Sequence, residues 1–281
     1  MTLTAFCDLA LTPVSYDAVT FLVRAKLAAG DEPLHVVFVP NEGGLGNVAR
    51  HWGEHDASAT LWRLWHIVVA CCPLAGATVT VAASRKQAEL LKVDPYWWPK
   101  ERAHFMAPLV DAFLEGQKIP KLKASVAARR YVTLWNHRPY VTLTLREQNT
   151  HPERNSNRQE WAKLAWYLRD GFEVVWLDDT NNALCYPSGN FAQLDVDLRL
   201  ALYEGALMNF MGNNGPGILL QFSDAPYRIF VDQAWPEHWK KYFHLNVGDQ
   251  LPWANDNQRW VYKPDTFENM KGEFQSELVT S

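Results

Sequence analysis

Short apolar runs alternate with helical patterns along the first part of the chain. Runs rich in apolar residues predict strands at 3–11, 34–40 and 78–84. Apolar residues at helical spacing predict helices at 17–27, 58–72 and 100–116, and another helix begins at Arg85. The segment PYWWP, 95–99, predicts a rigid aromatic turn, and Gly30 suits the end of the first helix. This alternation favours a parallel, doubly wound sheet.

The same rhythm continues in the second part of the chain. Strands are predicted at 140–145, 172–179, 207–212 and 227–232, and the pattern shows no clear strand after that. Helices are predicted at 157–170 and 195–206, after the turn at 213–217, and at 265–274. The run 140–145 places apolar and threonine side chains alternately, with the period of two that is typical of a strand.

The stretch 117–138 predicts a domain boundary. It opens with the basic segment QKIPKLKAS, continues with a helical pattern at 124–136, and meets Pro139, which disfavours helix in the residue before it. We therefore expect a Rossmann-like domain at 1–120, a linker helix at 121–138 and a second Rossmann-like domain at 139–281. The predicted fold class is α/β, with the parallel sheets of the two domains facing a central cleft.

Composition narrows the class of protein. A chain of 281 residues is longer than one core usually supports, which agrees with two domains. The net charge of -4 gives no global reason to expect nucleic acid or an anionic membrane surface as a partner. Four cysteines without a CxxC pair indicate buried thiols in a reducing compartment. With no leader pattern and no apolar run of 18 residues, we expect a cytoplasmic protein without a membrane span; the sequence leaves its oligomeric state open.

A charged loop follows the strand predicted at 140–145. The strand stops at Arg146, and the loop before the next helix contains Arg154 and Arg158. Open α/β folds bind ligands at the carboxyl ends of their strands, and arginines beside a helix N-terminus suit an anion such as a phosphate. The alternative is a solvated loop whose charges bind nothing.

Three other strand ends offer candidate chemistry. The loop NEGGLGN contains Gly43, Gly44, Gly46 and Asn47, and its glycines let the backbone approach a ligand, although it is neither GxGxxG nor a P-loop and a flexible turn is an equal alternative. Asp178 and its neighbour could bind a ribose, a sugar or a metal, or could cap the next helix. The turn Asn213-Asn214-Gly215-Pro216-Gly217 leads into a helix, so its amides suit a phosphate or a sugar hydroxyl.

These motifs resemble those of GT-B fold glycosyltransferases, in particular heptosyltransferases and fucosyltransferases. VTLTLRE, which reaches Arg146, looks like the fucosyltransferase strand whose terminal arginine holds the nucleotide diphosphate, and GGLGN is similar to a fucosyltransferase loop. The run from Asp195 to the 213–217 turn is similar to the heptosyltransferase pattern that leads into an Asp-Ser-Gly-Pro turn. The chain departs from these patterns at Glu147, where fucosyltransferases have a second arginine, at Asn213 and Asn214, and in placing GGLGN after the second strand.

The resemblance implies transfer of a sugar from a nucleotide-diphosphate sugar to a glycan or other hydroxyl acceptor, as in polysaccharide biosynthesis. It places the acceptor in the first domain and the nucleotide sugar in the second. Arg146, with Arg154 or Arg158, and the amides of the 213–217 turn would stabilise the leaving diphosphate without a metal. Glu42 is the first candidate for the base that takes the acceptor proton, with Asp17 and His51 as alternatives.

No cofactor other than the donor substrate is expected. The histidines His51, His55 and His66 do not show a metal-binding spacing, so no metal is predicted. Nucleic acid is not an expected partner. The alternative function is a nucleotide-sugar-binding or epimerase-like GT-B protein without transferase activity.

Overall fold

The computed structural model describes residues 1–41, 57–102, 104–147, 152–180, 192, 195–231 and 236–280. The chain divides into two compact units, Met1–Lys123 and Ala124–Ser281. Each unit is built on one parallel β-sheet with helices. Among the described residues, no helix is both long enough and apolar enough to cross a membrane.

The sheet of the first unit has four parallel strands in the order β3-β2-β1-β4. They are β1 (Leu3–Asp8), β2 (Leu34–Val39), β3 (Ala77–Val81) and β4 (Tyr96–Trp97). The strands β1 to β3 confirm the predicted ones, each ending one to three residues earlier. The turn predicted at PYWWP is wrong in part, because Tyr96 and Trp97 pair with Thr4 and Ala5 of β1.

The helices of the first unit are α1 (Ala18–Ala29), α2 (Ala57–Arg63), α3 (Arg85–Leu90) and α4 (Ala107–Leu114), and α2 continues as a π-helix over Leu64–Val69. Gly30 ends α1 at a φ of 58°, which a residue with a side chain rarely adopts. The helix predicted from residue 100 begins only at Ala107, where Pro108 occupies the first turn. Proline is favoured there and not further inside a helix, so the apolar residues before Ala107 extend the pattern without extending the helix.

The sheet of the second unit has five parallel strands in the order β6-β5-β7-β8-β9. They are β5 (Tyr140–Glu147), β6 (Glu173–Thr180), β7 (Met208–Gly212), β8 (Tyr227–Phe230) and β9 (Gln258–Val261). The prediction that no strand follows 227–232 is wrong. Gln258–Val261 lies in a polar stretch with few apolar residues, and its pairing with β8 supplies the stability that the local pattern lacks.

The strand β5, which lies between β6 and β7, is buried on both faces. Thr142 and Thr144, which alternate with its apolar side chains, are inaccessible to solvent. The hydroxyl of Thr142 donates to the side-chain oxygen of Asn209 at 2.6 Å, and the hydroxyl of Thr144 lies 3.1 Å from that of Tyr203. The period-two pattern therefore identifies the strand, while its polar positions face a hydrogen-bonded interior.

The helices of the second unit are α5 (Val126–Trp135), α6 (Arg158–Leu168), α7 (Val196–Gly205), α8 (Gly217–Gln221), α9 (Pro236–Phe243) and α10 (Phe267–Thr280). Trp161, Leu164 and Leu168 of α6 join Met270 and Phe274 of α10 in one core cluster against β5 and β7. The helix α5 packs on α7 and is part of this unit.

Three of the four cysteines are buried thiols, as predicted: Cys7, Cys71 and Cys72. Cys185 lies outside the described residues. Burial raises the pKa of all three thiols, that of Cys72 to about 12. They are therefore protonated and poor nucleophiles at neutral pH.

Candidate functional site

The second sheet changes its direction of winding between β5 and β7. The chain passes from β5 to its neighbour β6 on one side, and then crosses back to β7 on the other side of β5. At such a switch point the loops after the two adjacent strands diverge and leave a crevice at the carboxyl edge of the sheet. The loop after β5 and the turn after β7 flank this crevice, and both contain residues that the sequence singles out.

Arg146 lies near the carboxyl end of β5 and is only 4% exposed. Its guanidinium donates to the side-chain oxygen of Asn155 at 2.6 Å, and its backbone amide donates to the hydroxyl of Ser156 at 2.9 Å. The amide of Ser156 donates in return to the carbonyl of Arg146 at 2.8 Å. The residues before α6 are thus folded back onto the end of the strand, and they fix the arginine side chain.

Arg154 links the two sides of the crevice. Its guanidinium donates to the carbonyl oxygen of Asn213, in the turn after β7, at 3.0 Å. Gly212, the last residue of β7, permits this approach: a Cβ atom there would lie 2.9 Å from the hydroxyl oxygen of Ser156. The structure therefore brings Arg146, Arg154 and the 213–217 turn together.

The turn after β7 contains an uncompensated polar side chain. Both the nitrogen and the oxygen of the Asn214 amide are buried and have no hydrogen-bond partner among the described residues. A buried amide normally has partners, because leaving it unsatisfied costs about 1–3 kcal/mol. The helix α8 that follows has only five residues, so its dipole adds little to an anion site here.

Arg158 has a different role from the other two arginines. It forms a two-point ion pair with Glu147, at 2.6 and 2.9 Å. The hydrogen bond from Arg158 lowers the pKa of Glu147. The charges of the two side chains offset each other at neutral pH, so Arg158 adds less positive potential to the crevice than the sequence suggests.

The start of α6 is fixed by a distant carboxylate. Asn157 precedes the helix without capping it through its own side chain. Asp265 instead anchors this end of the helix, because its oxygen accepts from the amide of Asn157 at 3.1 Å and from the indole nitrogen of Trp161 at 2.6 Å. The adjacent amide of Phe267 donates to Glu160 at 2.8 Å. These bonds hold the helix that immediately follows the arginine loop.

The first unit has a carboxylate at the corresponding position of its own sheet. Asp8 ends β1, whose neighbours β2 and β4 lie on either side of it, and its carboxylate pairs with Arg85 at 2.9 and 2.5 Å. Burial by itself raises the pKa of Asp8, but hydrogen bonds from Arg85 and from the amide of Ala10 outweigh it, and the pKa is lowered. The sequence shows Asp8 as an acidic residue inside an apolar run. Its position at a strand end is not predicted, because the predicted strand continues to residue 11.

Several predicted site residues cannot be placed. Glu42, Gly43, Gly44, Gly46, Asn47, His51 and His55 lie outside the described residues, as does the side chain of Asp178. The backbone of Asp178 belongs to β6, paired with Leu145 of β5. Asp17, an alternative base, accepts a hydrogen bond from the hydroxyl of Ser15 at 3.0 Å, immediately before α1.

The described residues contain no group of three or more histidine, cysteine, aspartate or glutamate side chains that could hold a metal ion.

Asn213 and Gly217 lie at the ends of the 213–217 turn, and a Cβ atom at Gly217 would lie 2.9 Å from the sulfur of Met211. The exposed Gly215 lies at the middle of the same turn.

Two α/β units with parallel sheets of four and five strands are the architecture of GT-B glycosyltransferases, and this chain has that fold. No protein-family model matches the chain, and no curated protein matches its sequence. The likeness is found among solved structures.

ADP-heptose LPS heptosyltransferase II of E. coli is similar with a TM-score of 0.53 and 12% identity, over 100% of this chain and 99% of that one. The glycosyl transferase family 9 protein of Veillonella parvula DSM 2008 is similar with a TM-score of 0.52 and 10% identity, over 100% of this chain and 97% of that one. The fold class and the resemblance to heptosyltransferases are thus confirmed at the level of the fold.

Proposed function

We propose that the chain is a glycosyltransferase that moves a sugar from a nucleotide-diphosphate sugar to a hydroxyl acceptor. The observation that carries this proposal is the bond from Arg154 to Asn213, which joins the arginine loop to the turn after β7 at the switch point of a GT-B fold. The E. coli neighbour is named for ADP-heptose and LPS, so an ADP-sugar and a glycan acceptor are the first pair to test. A cytoplasmic role in polysaccharide synthesis belongs to the same proposal.

The proposed reaction needs positive charge where the leaving group develops negative charge. The acceptor oxygen forms a bond to the anomeric carbon, the bond from that carbon to the diphosphate oxygen breaks, and the acceptor proton passes to a base. Arg146 and Arg154 supply fixed cations beside the leaving diphosphate, and the amide of Asn214 supplies a donor in the same crevice. Two cations and an amide donor can stabilise this group without a metal ion.

Glu42 remains our choice for the base that takes the acceptor proton. Asp8 is a less suitable base, because its ion pair with Arg85 lowers its pKa and stabilises its charged form. Asp17 and His51 remain the alternatives. Arg158 is proposed to position the loop through Glu147, with a smaller part in binding the diphosphate.

The test uses ADP, UDP and GDP and their sugars with the purified protein. A nucleoside diphosphate present at about 100 times its dissociation constant should stabilise the fold by about 2.7 kcal/mol, which thermal unfolding detects. Transferase activity is then measured as release of the diphosphate from the matching sugar donor, with and without a glycan acceptor and with and without a chelator. Release that requires the acceptor and survives the chelator is the expected result.

A panel of substitutions separates the roles. Glu42→Gln should abolish turnover and leave the affinity for the nucleoside diphosphate unchanged. Asp17→Asn, the same change at an alternative base, should retain turnover, and loss of turnover in Asp17→Asn alone would assign the base to Asp17. Nucleotide binding without release under any condition would favour the alternative function, a nucleotide-sugar-binding GT-B protein. If none of the nucleotides or their sugars shifts the unfolding temperature, the proposal is wrong.

A further inference from the structure

The helix α5 displays an apolar surface to solvent. Val126, Arg130 and Leu134 follow one another at intervals of four residues and therefore lie along one line of the helix, with Tyr131 and Trp135 on the adjacent line. We call these five side chains the outer face of α5. The exposed fractions of its apolar members are high: 75% for Val126, 65% for Leu134, 49% for Tyr131 and 42% for Trp135.

The inner side of the same helix is firmly attached to the second unit. Ala128 and Val132 are buried where α5 packs on α7. The hydroxyl of Ser125 accepts from the amide of Ala128 at 3.0 Å and caps the helix, and the amide of Ser125 donates to Asp197 of α7 at 2.7 Å. The outer face is therefore presented on a rigid base.

One of the two arginines of α5 takes part in the contact between α5 and α7. Arg129 pairs with Glu204 of α7 at 3.4 Å, and Glu204 also accepts from the amide of Ala124 at 3.0 Å. Arg130, in contrast, lies in the middle of the outer face and is exposed. The two neighbours in sequence thus serve different surfaces, one internal and one external.

The charge around the outer face is positive. Between Ala124 and Arg146 the sequence contains four arginines and no acidic residue, but Arg129 pairs with Glu204 and Arg146 is buried at the crevice, so two of the four lie near the outer face. Arg130 belongs to the outer face itself, and Arg138 is exposed just beyond the end of α5. The two carboxylates of α7 that contact α5, Asp197 and Glu204, are bonded to the inner side of the helix, so Arg130 and Arg138 set the charge beside the outer face.

We propose that the outer face of α5 binds an anionic membrane surface, with α5 parallel to the lipid plane. Arginines combined with aromatic and aliphatic side chains on one exposed helix are the composition of an interfacial helix. The aromatic rings suit the headgroup region, and the arginines attract anionic lipids. A second copy of the chain fits this face less well, because a symmetric interface would bring Arg130 of both copies into one apolar contact without a negative partner.

The test is cosedimentation of the full chain with vesicles. One set contains phosphatidylcholine alone, and the other contains phosphatidylcholine with phosphatidylglycerol. The protein should bind the anionic vesicles at low salt and lose most of this binding at high salt. The double variant Val126→Ser with Leu134→Ser should bind the anionic vesicles about tenfold more weakly, and Arg130→Gln about fivefold more weakly.

Matched variants change equally exposed residues elsewhere in the chain. Leu90→Ser with Leu114→Ser removes two exposed leucines from α3 and α4, and Arg169→Gln removes an exposed arginine after α6. These variants should bind the vesicles like the unchanged protein, and circular dichroism of every variant should show the native helix content.

Four results would overturn the proposal. They are no binding to anionic vesicles, equal binding to both kinds of vesicle, equal losses in the α5 and matched variants, and dimerisation that Leu134→Ser abolishes in sedimentation velocity. The last result would assign the outer face to a second copy of the chain. Retained salt-sensitive binding that is lost only in the α5 variants would support the lipid surface.

Discussion

Replacing Arg146 with alanine tests the proposed diphosphate site most directly. The guanidinium is almost fully buried and held by Asn155, so it does not have to be ordered when a ligand binds. A hydrogen bond to a charged group contributes about 1.5–3 kcal/mol, and about 1.4 kcal/mol corresponds to a tenfold change in affinity. Arg146→Ala should therefore raise the dissociation constant of the nucleoside diphosphate by about tenfold to about a hundredfold.

The affinity is best measured by isothermal titration calorimetry with the nucleoside diphosphate and, separately, with the nucleoside alone. The nucleoside lacks the phosphates, so its affinity should not change in the variant. Arg146→Lys keeps the positive charge but loses the planar guanidinium. Its dissociation constant for the nucleoside diphosphate should lie between those of the unchanged protein and Arg146→Ala. The change to alanine also removes the donor to Asn155, so urea unfolding should show a loss of stability of about 1–3 kcal/mol. The titrations are therefore carried out well below the melting temperature of the variant.

The matched control is Arg169→Ala, which removes an arginine at the end of α6 that contacts Asp170 at the surface. It should leave both the nucleotide affinity and the stability almost unchanged. If Arg146→Ala binds the diphosphate as tightly as the unchanged protein while remaining folded, the phosphate site does not involve Arg146. A parallel loss for the nucleoside and the diphosphate would indicate a general disturbance of the crevice instead.

Three further predictions concern the same unit. Gly212→Ala places a Cβ atom 2.9 Å from the hydroxyl of Ser156, so it should cost about 1–3 kcal/mol in urea unfolding and weaken nucleotide binding; unchanged values for both would show that the loop can move without loss. Glu147→Gln should leave stability at pH 7 within about 1 kcal/mol, because its partner Arg158 is half exposed. The pKa of Glu147 is lowered in the folded state, so its ion pair adds fully to the free energy of unfolding above the usual pKa of 4.5, and this contribution is lost as the pH falls further. The variant lacks the ion pair and should therefore lose less stability on acidification than the unchanged protein. Parallel profiles of stability against pH would contradict this. Gly272→Ala, in α10 with open space around the new Cβ atom, should stabilise the unit by about 0.5–1 kcal/mol, and a lower melting temperature would show an unrecognised constraint there.

The sequence predicts those elements whose stability is largely local. Asp195 precedes a helical pattern, and in the structure its carboxylate accepts from the amides of Asp197 and Leu198, both at 2.9 Å, at the start of α7. Gly30 ends α1 for an equally local reason. The alternation of strands and helices then leads to the correct fold class, because parallel strands require helical crossovers.

The elements that the sequence misses depend on distant partners. The strand β4 has two residues and exists through its pairing with β1, and β9 exists through its pairing with β8. A local hydrophobic pattern contains no information about such partners.

The same distinction holds for the candidate site. The arginines were recognisable beside a predicted strand end, but the sequence could not show that Arg158 is bound by Glu147, eleven positions earlier. Nor could it show that Asp8 is paired with Arg85, which lies 77 positions further along the chain. Ion pairs decide which charges a ligand meets, and they form only when the chain folds.

The carboxylate of Asp265, which anchors the start of α6, has a consequence for the order of folding. Its bond to Asn157 spans 108 positions, and β6 to β9 lie in sequence between the two residues. Contacts between such distant positions form late, since a long loop must close before they stabilise anything. We therefore expect the start of α6 to be fixed only after β9 and the segment that follows it have folded, while the exposed amide of Asn157 still exchanges with deuterium through local opening. The arginine loop before α6 should then take its final position only in molecules whose second unit is folded, so that a variant with a larger unfolded fraction loses nucleotide binding at least in proportion to that fraction.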